Sequence, residues 1–173
     1  MPDTNVRGMR VAIGLGSNLG DRVGHLRLGL EAVAAHVEGL RVSRVYETGP
    51  RYYEPQGLFL NACCVGWTRL TPRQMLSELQ DAERRSGRRR GGPRFGPREL
   101  DLDLLLYGSL TLESDQLVLP HPRLRERAFV LVPLAEIAAD WEVPATPGHA
   151  AATVADLAAA VTPADVKRTE IDL

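Results

Sequence analysis

Apolar residues recur along this chain in two rhythms. Residues 10–20, RVAIGLGSNLG, start as a short apolar strand and break into a tight glycine-rich turn. Val23, Leu26, Leu30, Val33 and Val37 then recur at steps of three and four, which is one apolar helical face. Gly39 is placed to end that helix. Residues 41–50 alternate and are rich in β-formers, so they predict a strand that Gly49 and Pro50 stop. After a loop at 51–57, residues 58–70 predict a further strand. Thr71 and Pro72 are a helix start, with Met75, Leu76, Leu79 and Ala82 as its apolar face and an end near Ser86–Gly87. Residues 88–97, RRRGGPRFGP, predict a mobile basic loop, and 99–108 a strand. A turn at Gly108, a short hairpin through Leu112 and Val118, a loop and helix within 119–141, a Pro/Gly linker at 142–151 and a short helix over 153–161 follow. The last residues are a tail or an edge strand.

The order β-α-β-β-α-β, with C-terminal additions, predicts an α+β fold: a ferredoxin-like split βαβ sheet with the helices packed on one face. The length supports a single domain over residues 10–173, with residues 1–9 as a flexible N-terminal tail.

Composition changes this picture only locally. The formal net charge is −1, so the whole molecule does not attract nucleic acid or membranes. Yet seven arginines lie between Arg84 and Arg98. Cys63 and Cys64 are neighbours, and strand geometry would send them to opposite faces, so they are expected as reduced core residues. No basic segment leads into an apolar run, and no stretch approaches the roughly 18 apolar residues of a membrane span, which predicts a cytoplasmic protein.

The candidate chemistry lies in RFGPRELDLDLLLYG, residues 94–108. In a strand, Asp101 and Asp103 share a face at about 6.5–7 Å, while Leu100, Leu102 and Leu104 point the other way into the core. Two carboxylates so close repel unless cations offset them. Mg²⁺ fits, because it takes one or two carboxylates plus phosphate oxygens and water. A solvated sheet face, or salt bridges to nearby arginines, would also accommodate the pair. Arg88, Arg90, Arg94 and Arg98 precede the acids, and the guanidinium fork suits phosphate oxygens. The same run could form a nucleic-acid-binding patch on a ferredoxin-like sheet, but acids at its centre would repel the backbone. A metal–polyphosphate site needs both signs. His121 stands between two prolines in a stiffened loop, a candidate for phosphate or ribose contact, whereas His25 and His36 fall in the first helix as surface or packing residues.

The 94–108 stretch, of the form Arg-aromatic-Gly-Pro-Arg-x-Leu-Asp-Leu-Asp, resembles the signature of the 6-hydroxymethyl-7,8-dihydropterin pyrophosphokinase family. GSNLGDR, YETGP, FLNA and LPHPRLRERAFVLVPL occur in that family's order, and the resemblance covers roughly residues 10–145. It implies transfer of pyrophosphate from ATP to the pterin hydroxymethyl oxygen, by attack on the β-phosphorus, with AMP as the leaving group. It implies two Mg²⁺ ions on Asp101 and Asp103, and catalytic phosphate contacts from Arg88 and Arg98. For ATP it adds Gln80, Arg90, Arg94, Leu104, His121 and Arg127, with Glu83 as an acid near the site. Without the resemblance, Glu83 would read as a solvated helix residue. For the pterin it implies Asn61 at the ring edge, Phe59 and Phe129 as aromatic walls, and backbone contacts at Thr48 and Gly49. Without it, both phenylalanines would read as core. The implied partners are ATP and the pterin; no nucleic acid or membrane partner is expected, and the compact length predicts a monomer. Phe95, Gly91, Pro122 and Arg51 depart from residues found in some family members.

Overall fold

The computed structural model of the chain describes residues 8–50, 56–87, 97–163 and 165–173. In chain order the elements are β1 (Met9–Ser17), α1 (Arg22–Ala34), β2 (Glu38–Val42), β3 (Tyr46–Thr48), β4 (Phe59–Thr68), α2 (Pro72–Arg85) and β5 (Asp101–Tyr107). The hairpin β6 (Leu112–Glu113) and β7 (Val118–Leu119), helix α3 (Ala128–Ala138), strands β8 (Glu142–Val143) and β9 (Ala152–Thr153), helix α4 (Val154–Ala160) and β10 (Val166–Arg168) complete it.

One six-stranded antiparallel sheet organises the chain. β1 is central, paired to β4 on one side and β5 on the other. β3 and β2 both pair with β4, and β10 adds an outer strand against β3. The two halves, β1-α1-β2/β3 and β4-α2-β5, interleave as the split βαβ order requires.

Local chemistry sets most boundaries. The Asp21 carboxylate caps α1 by accepting the Gly24 N–H at 3.0 Å. Thr71 and Gln74 form a reciprocal capping box at α2, with Pro72 in its first turn. Three expectations change. The first helix ends at Ala34, and Gly39 instead lies in β2 with φ +61, where the ladder to β4 shifts register. The strand expected over 41–50 is broken at Ser43. That residue's N–H donates to the Cys63 carbonyl at 2.9 Å, and its hydroxyl accepts the Cys63 N–H at 2.9 Å. The side chain thus stands in for a ladder carbonyl, and the strand can bend without orphaning a buried group. The 142–151 segment carries β8, which pairs with β9 and buries Val143 completely, so it is no free linker.

The helices do not all lie on one face. α1 and α2 cover one side of the sheet, over Ile13, Leu15, Leu60, Leu100, Leu102 and Leu104. α3 and α4 cover part of the other, over Ala12, Cys63, Val65, Leu105 and Leu106. Both cysteines are free and buried, on opposite faces as alternation requires. Met9 already belongs to β1, and residues 1–7 of the expected tail lie outside the described residues. Among the described residues, no helix is long and apolar enough to cross a membrane.

Candidate active site

Asp101 and Asp103 occupy one face of β5, while Leu100, Leu102 and Leu104 are buried on the other. The ladder between β1 and β5 shifts at Ala12/Ile13, which skips Leu105. Alternation already puts Leu105 on the face of the acids, and the bulge turns Leu106 there as well, where both join the core beneath α3. One face of the sheet is therefore apolar at one end and acidic at the other.

The register assembles the rest of that polar end. Gly16 pairs with Asn61 on β4 and with Asp101 on β5; Gly14 pairs with Cys63 and Asp103. A cleft of about 150 Å³ opens over the polar end. The described residues lining it include Gly14, Gly16, Thr48, Gly49, Gln56, Phe59, Asn61, Arg98, Asp101, Asp103, His121, Arg127 and Phe129.

The charges in the cleft are interleaved. Arg98 contacts Asp101 directly, and Arg127 Nη1 lies 3.3 Å from Asp103 Oδ2. Asp103 is pushed up to about 6 by burial and by the neighbouring Asp101 charge, although Arg127 and Arg98 pull it back. An acid so placed favours a cation beside it. His121 is shifted the other way, down to about 4, by burial and by Arg127. Its Nδ1 accepts the Arg123 N–H at 3.1 Å, so the neutral ring carries its proton on Nε2. That N–H faces Asp103 Oδ2 at 3.8 Å, beyond hydrogen-bond reach and available to a ligand oxygen. Among the described residues, Arg127 Nε is a buried donor without a partner. Such an atom is costly to leave unmatched, and a phosphate oxygen would match it.

The donor set fits Mg²⁺. It offers two hard carboxylates on one face, and the cleft walls are lined with groups for phosphate oxygens. Among the described residues no group of three or more His, Cys, Asp or Glu could hold a metal alone.

At the other end of the cleft, Asn61 is buried and its Nδ2 donates to Thr48 Oγ1 at 2.7 Å, which fixes the plane of the amide. Phe59 and Phe129 are half-buried at the rim, and the Arg127 guanidinium lies 5.5 Å from the centre of the Phe129 ring. Asn18, also buried, joins three segments. Its Oδ1 accepts the Arg98 N–H at 2.8 Å, its Nδ2 donates to Gln56 Oε1 at 2.8 Å and to the Gly57 carbonyl at 3.3 Å, and its own N–H donates to the Arg98 carbonyl at 3.1 Å.

The cleft thus brings together Arg98, Asp101, Asp103, His121, Arg127, Thr48, Gly49, Phe59, Asn61 and Phe129. It does not gather every expected residue. Leu104 has its side chain in the opposite core, and Gln80 is exposed on α2 and does not line the cleft. Arg88, Arg90 and Arg94 lie outside the described residues, as do Arg51, Gly91 and Phe95. Glu83 is buried, not solvated, and accepts the Leu102 N–H at 2.8 Å between the two acids. His25 and His36 are local: His25 Nδ1 lies 3.1 Å from the Leu19 carbonyl, and His36 Nε2 lies 3.2 Å from Glu78. Gly14, Gly16 and Asn18 were missed. GLGSNLG reads as a turn, but its first two glycines sit inside β1 at the same two-residue step as the acids. That shared step was the available signal.

The comparisons with known proteins converge on one family. The family model for 7,8-dihydro-6-hydroxymethylpterin-pyrophosphokinase matches residues 12–139. A Bacillus subtilis 2-amino-4-hydroxy-6-hydroxymethyldihydropteridine pyrophosphokinase is 46% identical over 136 residues, covering 78% of this chain and 81% of that protein. An Arabidopsis thaliana mitochondrial folate synthesis bifunctional protein is 45% identical over 130 residues, which are 73% of this chain but 23% of that longer protein. Among solved structures, a Plasmodium falciparum HPPK-DHPS crystal structure shares the fold, with a TM-score of 0.66 at 15% identity, over 90% of this chain and 45% of that one. A matched span that includes both acids, Asn61 and His121 leaves one assignment: the chain belongs to the 7,8-dihydro-6-hydroxymethylpterin-pyrophosphokinase family.

Proposed function

We propose that this cleft transfers the pyrophosphoryl group of ATP to the hydroxymethyl oxygen of 6-hydroxymethyl-7,8-dihydropterin, giving AMP and the pterin diphosphate, a step of folate biosynthesis. The observation that carries this reading is one cross-strand row. Asn61, a rigidly held amide, and Asp101, one of two paired acids, flank Gly16 in the same register.

Asn61 has donor and acceptor atoms for the edge of a pterin ring, and Phe59 and Phe129 supply apolar walls for its faces. Thr48 orients the Asn61 amide, and the backbone at Thr48 and Gly49 borders the ring. Asp101 and Asp103 hold magnesium, two ions on this reading. Bound there, magnesium neutralises phosphate oxygens and makes the attacking hydroxyl more acidic. Arg98 and Arg127, now paired with the carboxylates, would also reach phosphate oxygens. The Nε2–H of His121 donates to the phosphate chain. Arg88, Arg90 and Arg94 are assigned to the same phosphates. Phosphoryl transfer needs alignment and charge neutralisation more than covalent help from the protein, and this residue set supplies both.

On this reading the working unit is a monomer. The free, buried cysteines agree with a cytoplasmic setting. A nucleic-acid-binding role gains no support from the cleft, whose acids would oppose a phosphate backbone. The test is direct. Incubated with ATP, Mg²⁺ and the pterin alcohol, the protein should form AMP rather than ADP, and only when all three are present. ADP as the product, or AMP formed without the pterin, would overturn the reading.

A further inference from the structure

We propose that Gly16 is the residue that admits the pterin: its missing side chain lets a flat bicyclic alcohol lie across the sheet from Asn61 to Asp101. This inference rests on the pterin reading of the cleft and names the residue that sets its shape.

The register makes Gly16 the middle of the row, paired to Asn61 on one side and Asp101 on the other. Adjacent strands lie about 4.8 Å apart, so the flanking residues are separated by roughly 10 Å. A ring with its polar edge on Asn61 and its hydroxymethyl arm directed at the acids has to cross the intervening position.

The backbone does not require glycine there. Gly16 lies inside β1 and does not adopt the left-handed conformation, unlike Gly20 with φ +67 in the turn that follows. Glycine within a strand weakens it through chain entropy and lost packing. The gain is space. A Cβ at position 16 would stand 3.2 Å from Asn61 Oδ1 and 3.9 Å from both Phe59 Cδ1 and the Leu60 carbonyl oxygen. A methyl group would therefore fill the angle between the amide that reads the ring and the aromatic that covers it. Gly14 is not equivalent: the nearest atoms to a Cβ there are Leu105 side-chain atoms at 3.6–3.8 Å, ordinary contact at the apolar border.

The experiment compares wild type with Gly16→Ala and Gly16→Val. Three quantities are measured: thermal unfolding, the affinity for a non-hydrolysable ATP analogue with Mg²⁺, and the pterin KM and kcat. For Gly16→Ala the pterin KM should rise at least tenfold, with nucleotide affinity within about twofold of wild type and cooperative unfolding retained. Gly16→Val should lose more. An unchanged pterin KM in Gly16→Ala overturns the proposal, and so does a parallel loss of nucleotide affinity, which would mean general disruption. If Gly16→Ala does not fold, the change is made in an Asn61→Ser background, where the tight amide contact is gone. There it should still raise the pterin KM relative to Asn61→Ser alone, and no rise overturns the proposal. Wild type that makes no AMP from ATP and the pterin would sink the functional reading itself. Active wild type with an indifferent position 16 sinks only the role of the glycine.

Discussion

The two ends of a single sheet face make an instructive pair. The same three strands, with the same two-residue alternation, carry Ala12, Cys63, Val65 and Leu106 at one end and Gly16, Asn61, Phe59 and Asp101 at the other. Secondary structure does not distinguish them. What differs is the cover. α3 lies over the first end with Leu131, Leu134 and Ala138, while its N-terminal Ala128 is flanked by Arg127 and Phe129, which both line the cleft. Where the helix excludes water, the strands present apolar side chains. Where it stops, they present carboxylates, an amide and bare backbone. Polarity on this face follows solvent and ligand access, as burial energetics requires.

The strongest way to break the comparison is at the open end. Asp101→Ala or Asp103→Ala should lower AMP formation by about a thousandfold, the scale of losing a major electrostatic element of a transition state. The melting temperature should hold, because each change also removes a like-charge neighbour. A variant that keeps near-normal turnover would remove the acids from the mechanism. At the covered end the order of effects reverses. Leu106→Ala, at a position 2% exposed, should cost about 2–5 kcal/mol of stability in denaturant unfolding and leave both substrate KM values of the folded fraction within about twofold. Asn18→Ala tests the border between loops. It removes side-chain bonds to Arg98, Gln56 and Gly57, so about 1–3 kcal/mol should be lost, together with a several-fold fall in kcat. A melting curve and steady-state kinetics decide whether that clasp matters to both.

The smallest effect is one of charge. The His121 ring should titrate near 4 rather than near 6.5 when followed by NMR. Arg127→Ala removes a positive neighbour that disfavours the imidazolium, so the midpoint should move up. A midpoint that stays put would mean that burial, together with Arg123, holds the ring neutral without Arg127.

Much of the site could be read along the chain. Leu100-Asp101-Leu102-Asp103-Leu104 is a strand pattern with one apolar face, and it forms as one. The helix start at Thr71–Pro72 is a local chemical event and appears where the side chains place it. Glu83 was harder. An acid on a helix is ordinarily solvated, and only its packing against β5 turns it into the acceptor for the Leu102 N–H. Asn18 is similar, since its partners at Gln56, Gly57 and Arg98 lie far along the chain.

The sequence by itself determined the split βαβ order of the core, the side of β5 that carries charge, and the residue types available for a metal and phosphates. These follow from periodicity and local hydrogen-bonding chemistry, which act over a few residues. Only the tertiary structure decided that Gly14 and Gly16 floor the cleft, that Leu106 turns to the same face as the acids, and that α3 begins at the edge of the cleft. Each of those depends on strand register, on the bulge in β5 or on where a distant helix docks. Register and docking are settled by the packing of whole faces against one another, and no local stretch of residues specifies them.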